Sequence, residues 1–278
     1  MALKTYYWNT RKVSQIDYLK HKWLKRPLNG FKYGNVGDIF NEDLINYLYN
    51  EKPFNTREAS NKLLLVVSVA SVIKSNDIIC GIGWKGNDLS ALEKDIEATK
   101  VYGVRGPLTK TLFEKYNADL SDFSFQYDPG LLIKDIHDLK VSNNTEDDVL
   151  FIPHFNDENV YHGNYPEAFK ILNVDAKPKA FSKAIMKAKI VYTSSLHGII
   201  FSHALKKPCV FVAPQSQEPL FKYQDYFLSI GQEMPEPIKN INAYNFSLDK
   251  PTFLDKDIAI NDFRFPEKSV LINKNIIF

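Results

Sequence analysis

Cysteine is almost absent from this sequence: there are two in 278 residues, Cys80 and Cys209, each inside an apolar run. Neither stands in a CxxC or Cys/His spacing, so zinc and iron–sulfur readings lack ligands. Two isolated thiols fit a reducing compartment better than a disulfide scaffold. Charge of one sign is missing as well, since 35 Lys and Arg against 33 Asp and Glu leave a net charge of +2. That balance excludes non-specific nucleic-acid binding as the main activity, which needs a concentrated basic surface. No apolar run approaches the roughly twenty residues that cross a bilayer. The opening Met1-Ala2-Leu3-Lys4-Thr5-Tyr6-Tyr7-Trp8 is too short and too polar for a signal peptide. A cytoplasmic, soluble protein is expected.

What is present is an ordinary globular composition, 44% hydrophobic and 24% charged. The length predicts two domains or one large one, with a core that needs neither disulfide nor metal. Aromatic content is high at 13%, which suits stacking on sugars and equally suits a core. Short apolar runs alternate with helical periods. Strands are expected at Leu3 to Trp8, Leu63 to Val69, Asp77 to Ile82, Lys100 to Val104, Val149 to Ile152, Ile190 to Tyr192 and Cys209 to Val212. Helical patterns fall at Asp38 to Tyr49, Asp88 to Ala98, Gly106 to Tyr116, Ala180 to Lys187 and Leu196 to Lys206. Such alternation implies an α/β fold of mainly parallel sheets. The polar stretch Val141 to Asp148 reads as a linker between two Rossmann-like domains, 1–142 and 149–235, facing a central cleft where ligand should bind. Residues 236–278 read as an irregular tail packing back on the first domain.

Four segments carry candidate chemistry. In Tyr33-Gly34-Asn35-Val36-Gly37-Asp38-Ile39-Phe40-Asn41, Asp38 is either a helix cap or, with Asn35, a partner for a polyhydroxylated substrate on the cleft floor. Gly81-Ile82-Gly83-Trp84-Lys85-Gly86 has the letters of a dinucleotide fingerprint, with Arg105 as a possible 2′-phosphate partner. The bulk of Trp84 and Lys85 leaves an ordinary glycine-rich loop equally good, with Gly83 at the cleft. In Val101-Tyr102-Gly103-Val104-Arg105-Gly106-Pro107-Leu108-Thr109, an arginine stands at a strand's carboxyl edge before a helix start, where its fork would match an anion. In Ile190-Val191-Tyr192-Thr193-Ser194-Ser195-Leu196-His197-Gly198, hydroxyls and free amides form an anion nest. There His197, its pKa lowered by the helix N-terminus, is a candidate proton donor.

In this order, Asn35-Val36-Gly37-Asp38, Val104 to Thr109, Tyr127-Asp128-Pro129-Gly130 and Ser194-Ser195-Leu196-His197-Gly198, followed by Lys207-Pro208, resemble the polysaccharide pyruvyl transferase family from about Tyr33 to Gly231. The resemblance implies a GT-B-like pair of domains. It also implies transfer of the enolpyruvyl unit of phosphoenolpyruvate to a sugar diol, releasing phosphate. The donor is a co-substrate and no further cofactor or metal is implied. Carried over, Arg105 and His197 would hold phosphoenolpyruvate, with Asp38 as acceptor partner or base and His154 as a second acid/base or acceptor-binding group. Many members have Arg where this chain has Ser195, so Lys85, Lys222 or helix-end amides would have to replace that charge. The implied acceptor is a capsular, exopolysaccharide or cell-wall glycan precursor. If lipid-linked, it would bring peripheral contact with the inner membrane face.

Three rivals stay open on sequence. They are a GT-B glycosyltransferase using a nucleotide sugar, a dinucleotide-dependent oxidoreductase resting on Gly81 to Gly86, and a non-catalytic glycan-binding protein.

Overall fold

A computed structural model describes residues 1–8, 13–24, 30–141, 148–161 and 163–278. The first half runs β1 (Ala2–Thr5), α1 (Gln15–Leu24), α2 (Val36–Tyr49), β2 (Lys52–Asn55), β3 (Leu63–Leu64), β4 (Ile78–Cys80), α3 (Glu93–Glu97), β5 (Lys100–Val104), α4 (Pro107–Lys115), β6 (Phe125–Gln126) and α5 (Ile133–Ile136). The second runs β7 (Val149–Ile152), α6 (Asp157–Tyr161), β8 (Lys170–Ile171), α7 (Pro178–Lys187), β9 (Ile190–Thr193), α8 (Leu196–Ala204), β10 (Cys209–Phe211), α9 (Phe221–Ser229) and α10 (Lys268–Asn273). Of the expected linker, residues 142–147 lie outside the described set.

The strands form two parallel sheets, of six strands in the order β2-β1-β3-β4-β5-β6 and of four in the order β10-β9-β7-β8. Each sheet therefore reverses its winding beside its own first strand, between β1 and β3 and between β7 and β9. Doubly wound sheets open a crevice at such reversals, beyond the carboxyl ends of the strands.

The strand pattern explains how the second sheet is sandwiched. Leu150 and Ile152 of β7 and Val191 of β9 join a large core shared with the first sheet, through α2, α5, α7 and α8. Phe151, Tyr192 and Val210, on the opposite face, form a smaller cluster with Tyr161, Phe169 and Ile241. That alternation is the period-two signature of a strand buried on both sides. Phe40 of α2 meets Phe201 of α8 edge to face, with centroids 5.6 Å apart, inside the shared core. The last residues return to the first strand, where Phe278 N donates to Ala2 O (3.1 Å) and Lys4 N to Ile276 O (2.9 Å).

Some expected elements are shorter, for physical reasons. The apolar run Leu63 to Val69 pairs as a strand only at Leu63–Leu64, because the chain then turns through Val67 at φ 85°. A β-branched residue with positive φ is a genuine outlier, of the kind that accumulates at ligand sites. Within Asp88 to Ala98 only Glu93–Glu97 is α-helical. The loop Gly81 to Gly86 does not open a helix, and its glycines make room for other parts of the protein. A Cβ at Gly81 would strike Pro129, one at Gly83 Arg105, and one at Gly86 Phe221. The dinucleotide reading loses its structural context there.

Candidate active site

A cavity of about 510 Å³ lies where the two winding reversals face each other. The first sheet contributes Tyr6 and Trp8 beyond β1, residues 67–72 beyond β3, and Trp84 and Lys85 beyond β4. The second contributes His154, Phe155 and Asn156 beyond β7, and Ser195, Leu196 and His197 beyond β9. Asn35, Asp38, Arg57, Asn87, Glu218 and Lys222 complete the polar lining.

Asn35 and Asp38 come from the start of α2. The Asn35 side chain caps the helix by accepting from Gly37 N (3.1 Å). The preceding loop is pinned to the second half, because the Asp175 carboxylate accepts from Lys32 N, Tyr33 N and Gly34 N (2.7–3.0 Å). Asp38 is therefore free of capping duty and turns its carboxyl into the cavity. Burial pushes that carboxyl up to about 7, against a hydrogen bond from the Trp8 backbone and the fields of Lys222 and Lys85. A carboxyl balanced near neutral pH can both accept and release a proton.

His197 stands in the first turn of α8, with Nε2 buried and without a hydrogen-bond partner among the described residues. Burial, then the positive fields of Arg105 and Lys222, pull its imidazole down to about 3. The direction is the one expected from a helix N-terminus, but the leading cause is burial. Ser195 is the cap of α8 and accepts from Gly198 N (3.4 Å) while lining the cavity.

Ser194 and Gly198 do not line the cavity. Ser194 Oγ donates to Asp157 (2.7 Å) and accepts from His154 N (2.7 Å), so it shapes the floor from below. Gly198 gives room to Thr193 Oγ1. The expected nest of paired hydroxyls is thus reduced to Ser195 and the α8 amides.

The positive charge is concentrated at Lys222, on α9. Its Nζ donates to Glu218 (2.8 Å) and reaches His154 Nε2 (3.4 Å), and Lys85 pairs with the same carboxylate (2.9 Å). Burial would raise the Glu218 carboxyl, but Lys222 and Lys85 hold it down at about 2. Burial in turn draws Lys222 down to about 8, opposed by Glu218. His154, buried beside this ammonium, is pulled to about 3 and accepts from it as a neutral ring. Both lysines named on sequence as substitutes for the arginine absent at Ser195 therefore reach the cavity.

Arg105 does not face the cavity. It is completely buried, and each of its three nitrogens donates to a protein group: Nε to Asp225 (3.2 Å), Nη1 to Ser68 Oγ (2.6 Å) and Nη2 to Trp84 O (2.7 Å). The positive helix start at Gly106-Pro107 is likewise occupied from within. Asp225 accepts there from Thr109 N (3.0 Å) and Thr109 Oγ1 (2.6 Å). Gly83, expected at the cleft, instead lies flat against the guanidinium, where a Cβ would fall 1.9 Å from Cζ. The open fork expected at Arg105 is thus a closed buried bridge between α9 and the loops beyond β3 and β4. It holds Ser68, itself in the lining, in place.

Arg57, like Glu218 and Asn156, is a cavity residue that sequence reasoning missed. Arg57 is exposed and carries no ion pair among the described residues. No motif surrounds it, and only the β1/β3 reversal brings the segment after β2 to this rim.

The arrangement offers cations for an anionic ligand, a neutral imidazole with an open nitrogen, and a carboxyl near its titration point. Similarity searches connect it to known proteins. The chain is 25% identical over 248 residues, 84% of its own length and 80% of the relative's, to an uncharacterized protein of Acanthamoeba polyphaga mimivirus. A crystal structure of an uncharacterized Klebsiella pneumoniae protein superposes with a TM-score of 0.40 at 14% identity, over 79% of this chain and 98% of that one. The sequence model of the polysaccharide pyruvyl transferases matches residues 31–216, from the loop before α2 to the loop after β10, and the chain belongs to that family.

Proposed function

We propose that the protein transfers the enolpyruvyl group of phosphoenolpyruvate onto a sugar diol as a cyclic ketal, with the two sheets acting as halves of a GT-B-like cleft. The observation carrying this reading is the pairing, in one cavity, of a buried unpartnered His197 Nε2 with the buried Lys222 ammonium. A ligand bearing both carboxylate and phosphate supplies what those groups lack. Lys222, Lys85 and Arg57 would balance its charge, and the α8 amides would receive one anionic group.

Burial first, then the fields of Arg105 and Lys222, keep His197 neutral, and an anion bound beside the ring would favour its protonation, so the imidazolium would form with donor in place. His197 then protonates the methylene carbon, and one acceptor hydroxyl adds at the neighbouring carbon, giving its proton to Asp38. The carbon–oxygen bond to phosphate breaks, leaving an oxocarbenium-like centre. The second hydroxyl closes the ring and its proton leaves with the phosphate. His154 and Asn156 would orient the acceptor.

The test is phosphate release from phosphoenolpyruvate with a panel of oligosaccharide and lipid-linked acceptors, with the ketal product verified by mass. Release that depends on acceptor supports the reading. Protection against thermal unfolding by nucleotide sugars, without phosphate release, would replace it with glycosyl transfer.

A further inference from the structure

The helix α1 carries large apolar side chains that stay mostly exposed among the described residues. Trp23 is 80% exposed, Ile16 64%, Leu24 58% and Leu19 53%. They recur at i, i+3, i+7 and i+8, which places them on one face of a helix. Scattered apolar residues on a surface need no explanation, but a stripe of four on one short helix does. Lys20 is exposed within this stripe.

Charge indicates what meets the stripe. Residues 11–26 hold six Lys and Arg and one Asp, a net +5 within a chain whose total is +2, so the remainder of the chain is net −3. A short amphipathic helix with an exposed Trp, set in a strongly basic stretch of a chain that is otherwise net −3, matches the interface of an anionic bilayer. No helix among the described residues is long and apolar enough to cross a membrane, so the contact is with the surface.

The position of α1 ties the surface to the cavity. The chain leaves the cavity rim at Trp8, and after the excursion Phe31 packs on Phe155 of the lining, with Val13 N donating to Phe31 O (3.1 Å) at the base. Trp8 and Phe31 both pack on Phe155 of the lining, each with centroids 5.9 Å away. A helix seated on a membrane would therefore hold the cavity mouth at the lipid surface.

We infer that α1 is a membrane-docking helix that seats the cavity against an anionic phospholipid surface. The stripe enters the interface and Lys20 meets the lipid phosphates. The consequence for the reaction, delivery of an acceptor sugar carried on a lipid, rests on the pyruvyl-transfer reading. The docking itself does not.

The experiment is co-sedimentation of the full chain with phosphatidylcholine vesicles, with and without phosphatidylglycerol, in the absence of donor and acceptor. Binding is expected only with the anionic lipid and should weaken as salt rises. The double change Trp23→Asn and Leu24→Asn should reduce partitioning by more than roughly tenfold, with an unchanged melting temperature. Lys20→Gln should reduce it roughly fivefold. Failure of the unaltered protein to bind anionic vesicles overturns the inference, as does binding that survives the double change. A dimer in light scattering that Trp23→Asn dissolves would assign the face to a second copy and equally overturn it. Because vesicle binding is read without turnover, its failure and the failure of pyruvyl transfer are separately visible.

Discussion

Gly37 lies directly against the imidazole of His197, so close that a Cβ there would fall 2.0 Å from Nδ1. The first turn of α2 and the first turn of α8, packed on different sheets, thus meet at the His197 ring. The ring is buried, packs on Phe201 with centroids 5.7 Å apart, and has the cavity as its open side.

Gly37→Ala should therefore displace His197 and reduce turnover by roughly a hundredfold, the scale of an ångström's misplacement of a reacting group. Gly37 sits in ordinary helical backbone, where alanine by itself favours the helix by about 0.5–1 kcal/mol. A loss of turnover without a collapse in melting temperature is the expected signature. Full phosphate release in this variant would remove His197 from the chemistry.

Arg105 makes its contribution through the fold. Arg105→Ala strands the buried Asp225 carboxylate, and breaking such a pair costs about 3–5 kcal/mol. The melting temperature should fall by roughly 10 °C. Arg105→Lys keeps the charge but loses the fork that bridges Ser68, Trp84 and Asp225, so it should recover only part of that loss. Calorimetry decides: a fall in donor affinity with unchanged melting would return Arg105 to a ligand-binding role.

Asp38 links stability to pH. Its carboxyl is higher in the folded protein, about 7, than in an unfolded chain. The fold therefore keeps a proton that the unfolded state releases as pH climbs past the ordinary carboxylate range. The stabilisation is full below that range and declines as pH rises to about 7. Asp38→Asn should raise the melting temperature above neutral pH, with the gain vanishing in acid, while turnover is lost. An acid limb near 7 in the rate profile of the unaltered protein, together with loss of turnover in Asp38→Asn, would assign the proton transfer to Asp38.

Lys222, drawn by burial to about 8, should set the alkaline side of the donor affinity. Lys222→Gln should weaken phosphoenolpyruvate binding by roughly tenfold or more, the worth of a charge-assisted hydrogen bond. Ser195→Arg should weaken it too, because the new cation enters a cavity already holding Lys222 and removes the α8 cap, worth about 1 kcal/mol. Tighter binding of the donor to Ser195→Arg, by calorimetric titration, would mean a vacant cation site.

The strands Lys100–Val104 and Val149–Ile152 were legible in the sequence to the residue, because an apolar run bounded by polar residues is a local signal. Asn35, Asp38, Ser195 and His197 were legible as candidates for the same reason: each sits at a strand or loop end beside a helix start. The fate of Arg105 was not legible. Its partner Asp225 lies 120 residues further on, in a helix with no motif, and no local pattern distinguishes an arginine awaiting a ligand from one already bridged. Leu63 to Val69 was misread because hydrophobicity carries no record of φ. The positive φ at Val67 belongs to the turn that feeds residues 67–72 into the cavity.

The core shared between the sheets has a bearing on how the molecule comes apart. Leu150, Ile152 and Val191 of the second sheet sit in the same apolar body as Leu3, Ile78 and Val104 of the first. Neither half can melt without exposing the other, so heating should give one calorimetric transition, with the van't Hoff and measured enthalpies in agreement. The same continuity ties catalysis to global folding: a destabilising change far out in the second sheet would loosen the seat of Asp38 as much as that of His197. Activity lost on heating should therefore follow the unfolding curve itself, with no inactive folded form appearing before it.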